Sequence, residues 1–143
     1  MKIALGADEN THLVDSIRRL LAERGHEVSL FGAAARVSEP WARTAKDVAE
    51  SVARADHDLG IVCCWTGTGV SIAANKVAGV RAALCADAET ARGARKWNDA
   101  NVLALSLRAT SEQVAKEILD AWLSEPYART EDQSLEVIRG LER

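Results

Sequence analysis

The chain has 143 residues, 48% of them hydrophobic and 27% charged, with a formal net charge of −3. That length suits one domain with its own core, residues 1–143 as a single unit, and is too short for two ordinary ones. With no basic stripe, no apolar run near the roughly 20 residues of a bilayer span and three cysteines without a CxxC pair, the composition excludes nucleic acid, a membrane and a disulfide scaffold, and fits a reduced, cytoplasmic protein.

The first ten residues, MKIALGADEN, begin as a strand and turn acidic, unlike a secretory leader. KIALGAD (2–8) reads as a buried strand that ends in a turn. Leu13, Ile17, Leu20 and Leu21 then recur at helical spacing, and Gly25 supplies a stop. HEVSLFG (26–32) predicts a second strand. In ARTAKDVAESVARAD (42–56), Ala45, Val48, Ala49 and Val52 share one helical face. LGIVCC (59–64) is an unbroken apolar run, as expected of a strand covered on both sides. A Gly/Thr loop, WTGTG, follows and leads into small residues able to open a helix. GVRAALCAD (79–87) predicts a fourth strand, AETARGARKWN (88–98) a helix and ANVLALS (100–106) a fifth strand. SEQVAKEILDAWLSE (111–125) is an amphipathic helix with Ser111 as N-cap, closed by Pro126. DQSLEVIRGLE (132–142) predicts a last helix, placed after the final strand where it could pack on a partner.

Strand and helix alternate throughout, which predicts an α/β fold with a parallel sheet and helices on both faces. Ligands in such folds bind beyond the carboxyl ends of the strands. GADEN, CWTGTG and SLRAT are expected there, while KWNDAN lies just before the fifth strand.

Cys64 ends a strand and precedes a glycine-containing loop. Backbone N–H groups in that loop, with a helix N-terminus behind them, favour negative charge on a thiolate or on an oxyanion beside it. A thiolate next to an oxyanion site suits proton abstraction at a carbon adjoining a carbonyl; the alternative is a cysteine that merely packs. Cys63 should face the other side of the sheet, and Cys85 reads as packing. Asp8, after the first strand, can bind sugar hydroxyls or serve as a turn residue. The GTG of the loop is an incomplete dinucleotide fingerprint, there is no GK[ST], and His12, His26 and His57 lack metal-ligand spacing. No cofactor and no metal is expected.

GAD at Gly6–Asp8, the block from Cys64 to Ala83 (CWTGTGVSIAANKVAGVRAA), NDANVLAL at 98–105 and ILDAWL at 118–123 together resemble the ribose-5-phosphate isomerase B and galactose-6-phosphate isomerase subunit family. The resemblance implies a Rossmann-like three-layer α/β/α sandwich with a five-stranded parallel sheet and an extra C-terminal helix. It implies a homodimer, or a tetramer, with active sites shared between chains. The reaction implied is aldose–ketose interconversion through an enediolate. On that resemblance Cys64 is the base, Thr66 assists proton transfer at the neighbouring oxygen, and Asp8 contacts substrate hydroxyls. Gly67, Thr68 and Gly69 surround the enediolate oxygen, and Asn98 and Arg108 arrive from the partner chain.

The sequence also departs from that pattern. Glu9 stands where the family usually has histidine, Trp97 at the position of a ring-opening histidine, and Trp65 at a glycine after the cysteine. Aligning the C-terminus places Glu131 and Leu135 at two phosphate-binding arginines, with Arg129 and Arg139 nearby as substitutes. The expectation is an isomerase of an altered or unphosphorylated sugar, with Trp65, Trp97 and Trp41 offering aromatic surface. A sugar-binding protein without turnover, and an epimerase or lyase using the same base, are the alternatives.

Overall fold

Apolar runs too short for core helices form the strands, and amphipathic stretches between them form the cover. The computed structural model describes residues 1–142. Its elements run β1 (Lys2–Ala7), α1 (His12–Glu23), β2 (Glu27–Gly32), a 3₁₀ turn (Ala33–Ala35), α2 (Trp41–Ala53), β3 (Leu59–Cys64), α3 (Thr68–Asn75), β4 (Ala82–Leu84), α4 (Ala88–Asn98), β5 (Val102–Ser106), α5 (Glu112–Ser124) and α6 (Asp132–Leu141). The five strands form one sheet in the order β2-β1-β3-β5-β4, parallel at every pairing. This is a Rossmann-like α/β fold.

Each face of the sheet has its own core. Ile3, Leu5, Ile61, Cys63, Leu103 and Leu105 meet α1, α4 and α5 through Ile17, Ala91, Ile118 and Trp122. Ala4, Val62, Cys64, Val102 and Ala104 meet α2 and α3 through Ala45, Val48, Val70 and Ala74. The two-residue period of β3 therefore separates the adjacent cysteines, as expected: Cys63 lies in one layer and Cys64 in the other.

Two local expectations are corrected. The fourth strand holds only three residues, because its neighbours bond elsewhere: Arg81 N–H donates to Asn101 Oδ1 at 2.8 Å, and Cys85 has already passed the strand's end. The helix expected after the Gly/Thr loop is present as α3. The C-terminal helix also packs on its own chain, since Leu135 is 3% exposed, and Ala128 N–H donates to Lys96 O at 3.0 Å, tying the linker before α6 to the end of α4.

Candidate active site

The sheet order changes direction between β1, which leads left to β2, and β3, which leads right. A crevice opens at such a switch point, outside the carboxyl ends of the strands. Asp8 follows β1 there, and its N–H donates to Cys63 O at 3.3 Å. Asp8 and Glu9 are both exposed. Partial desolvation raises the Asp8 carboxyl above its ordinary range, its backbone hydrogen bond opposes this, and the Glu9 charge adds to the rise.

Cys64 closes β3 with its side chain in the α2/α3 layer, 6% exposed. The chain then turns through Trp65 and Thr66 into Gly67, which adopts φ +78°. A Cβ there would lie 2.6 Å from Leu84 Cδ1 and 2.9 Å from the Leu105 carbonyl carbon. Only glycine meets both demands, the left-handed backbone and the close approach to β5. Gly67 is the N-cap of α3, and no side chain caps that end. The first N–H groups of α3, at Thr68, Gly69 and Val70, therefore have no intrahelical acceptor. Thr66 and Thr68 bring their hydroxyls 2.9 Å apart over this turn.

The β5 loop is stitched to the β3 loop. Leu107 N–H donates to Cys64 O at 2.9 Å and Arg108 N–H to Trp65 O at 3.0 Å. Ser106 Oγ donates to Trp65 O at 2.9 Å and accepts from Ala109 N–H at 3.1 Å. Sequence reading named the SLRAT segment without assigning Ser106; a hydroxyl at a strand end is a common turn residue, and its role here depends on a partner 41 residues away. A cavity of about 230 Å³ beside the loops is lined by Thr66, Leu84, Cys85, Ser106, Arg108 and Thr110, among others. Two expectations change. Arg108 shares a cavity with Thr66 of its own chain and does not need a partner to reach it, because the β5 loop lies against the β3 loop. Cys85 lines that cavity as well as packing.

The other two thiols stay protonated near neutral pH. Burial, with Cys64 and Asp8 nearby, pushes the Cys63 thiol up to about 12. Burial and Asp87 push Cys85 up to about 12.

Trp97 and Asn98 end α4, which runs back to the amino ends of the strands, and Asn98 lines a separate cavity of about 620 Å³ with Val80, Ala82 and Ala100. They cannot meet Cys64 within one chain. Trp65 is 59% and Trp97 50% exposed. Leu135 is interior and offers no group to a phosphate. Glu131 stays exposed before α6, and Arg129 lies 3.4 Å from Asp132 in an ion pair. Arg108 has no carboxylate within salt-bridge range among the described residues.

Known proteins share this fold. Residues 3–138 match the ribose/galactose isomerase family. Ribose-5-phosphate isomerase B of Escherichia coli is 40% identical over 144 residues, covering 99% of this chain and 97% of that protein. Galactose-6-phosphate isomerase subunit LacB of Clostridium acetobutylicum is 37% identical, with 99% and 82% covered. The solved ribose-5-phosphate isomerase B of Clostridium thermocellum superposes with a TM-score of 0.93 at 39% identity, with 99% and 97% covered. The chain belongs to the ribose/galactose isomerase family and is a sugar isomerase.

Proposed function

We propose that the protein interconverts an aldose and a ketose at the crevice beside Cys64. The observation that carries this reading is a cysteine at the carboxyl end of β3, next to a glycine-built turn whose uncapped N–H groups open α3. In the forward direction Cys64, as thiolate, takes the proton from C2 of the open-chain aldose. The C–H electron pair forms the C1–C2 double bond, and the carbonyl oxygen becomes an oxyanion facing the α3 N–H groups. Thr66 moves the proton between the two oxygens, and return of the thiol proton to C1 gives the ketose. Asp8 holds substrate hydroxyls. Trp97 and Asn98 are supplied by a second copy in a homodimer, or a tetramer, and Arg129 travels with them because its linker is tied to α4.

The substrate in this reading carries less charge than a sugar bound by a full arginine clamp. Among the described residues Arg108, unpaired with any carboxylate, lines a cavity with Thr66, while the carboxylates Asp8 and Glu9 follow β1. Each charge-assisted contact to phosphate contributes roughly 1.5–3 kcal/mol. Two missing contacts then weaken a phosphorylated sugar by about a hundred- to ten-thousandfold.

The test is exchange of the C2 proton with solvent deuterium across phosphorylated and free aldoses. Exchange by the wild type that Cys64→Ser abolishes supports the reading. Measurable sugar binding without exchange would replace it with a binding protein. Tight, efficient turnover of ribose 5-phosphate would remove the altered-substrate part.

A further inference from the structure

Helix α2 buries Ala45, Val48, Ala49 and Val52, and this stripe covers Ala4, Val62 and Cys64. Trp41 stands one turn before Ala45 in the same stripe. At that level the sheet has ended. Because α2 runs back against the strands, its first residue overhangs the carboxyl edge on the side to which Cys64 points.

The indole has a defined seat. A Cβ built on Gly69 would lie 3.0–3.2 Å from three carbons of the six-membered ring of Trp41, so this ring lies on the first turn of α3 in the space that glycine leaves. The helix start is pinned as well. Thr44, buried, donates its hydroxyl to Glu39 Oε1 at 2.9 Å and fills the notch beside Gly6, where a Cβ would come within 2.8 Å of its methyl group. Part of the ring is still open, since Trp41 is 45% exposed. A large apolar side chain held rigidly at the mouth of a crevice presents a surface to whatever enters.

We propose that Trp41 is a specificity-determining wall of the site, taking the apolar C–H face of the sugar. This rests on the isomerase reading of the Cys64 crevice. The six-membered ring offers no hydrogen bond, so it rewards C–H contact and penalises a charged group that would shed water without a partner. Among the described residues Arg108, which has no carboxylate in range, lies on the other side of the 65–69 loop, among Leu84, Cys85 and Thr110. The two walls orient the substrate: the C–H face towards α2, any charged substituent towards β5.

The experiment compares wild type, Trp41→Phe and Trp41→Ala, with D-ribose and D-ribose 5-phosphate as probes, in steady-state kinetics and titration calorimetry, alongside thermal melts. Trp41→Ala should raise KM and Kd about three- to tenfold for the better probe with little change in kcat, and Trp41→Phe should restore most of the loss. Wild-type tryptophan fluorescence should change on binding, and Trp41→Phe should lose part of that response. If the wild type turns over a probe and Trp41→Ala matches it in KM and Kd, the assignment is overturned while the isomerase reading stands. A lower melting temperature alone, with KM unchanged, overturns it in the same way. If the wild type neither binds nor exchanges either probe, both readings fail for these sugars and the wall has no sugar to select.

Discussion

Cys63 and Cys64 differ by one position, and the pleat sends them to opposite layers. Their substitutions should therefore separate. Cys64→Ser should abolish C2 proton exchange with the fold intact, because a serine hydroxyl supplies no anion near neutral pH without further activation. Cys63→Ala should keep turnover, since that thiol is fully buried, neutral and on the far side. Deuterium exchange followed by proton NMR on both variants decides this, and full turnover by Cys64→Ser would require another base. At Gly67 the backbone sets the outcome. Gly67→Ala should cost about 1–2 kcal/mol from its left-handed φ alone, and more from the contact with Leu84 and the β5 backbone. A thermal melt should show the loss, and turnover should fall with it because the same turn presents the α3 N–H groups.

At the scale of the element, α6 makes a strong prediction. Leu135→Arg forces a guanidinium into an apolar position, so destabilisation of about 3 kcal/mol or more is expected, with no gain in binding of a phosphorylated sugar. Chemical denaturation measures it, and tighter sugar binding with unchanged stability would return that position to the substrate. Helix α4 bears on the site through its start. Asp87 caps it by accepting from Thr90 N–H at 2.7 Å, which holds the carboxyl below its ordinary range. A depressed carboxyl stabilises the fold above its unfolded pKa of about 4. That contribution fades as pH falls through the lower native value, so an acid titration of wild type against Asp87→Ala should converge at low pH. Most helices and strands were legible in the sequence from periodicity and caps: Ser111 does accept from Val114 N–H at 3.1 Å. The short β4 was not, because GVRAALCAD looks like an ordinary strand until the Arg81 and Asn101 pairing shortens it. The Arg108 placement was not legible either. It depends on two loops bonding across the sheet, and no local pattern carries that information.

For the whole molecule, one chain places Cys64 at the carboxyl edge of the sheet and Trp97 and Asn98 at the amino edge. If two copies share each site, Cys64→Ser mixed with Asn98→Ala should regain activity that neither has alone. Random pairing leaves one intact site in half of the dimers, about a quarter of wild-type turnover per chain. Mixing after mild dissociation, with activity read against subunit ratio, tests this; no recovery despite hybrid formation would confine each site to one chain.

Strand β5 lies between β3 and β4, so the fourth strand emerges during synthesis before the neighbour it needs. Strands β2, β1 and β3 can assemble once residue 64 has left the ribosome. Ala82–Leu84 must wait unpaired until residues 102–106 follow. At roughly 5–20 residues per second that delay lasts on the order of seconds. Nascent chains stalled before Val102 should leave the 80s exposed to protease while the first three strands resist it, and release of Ser106 should close that window.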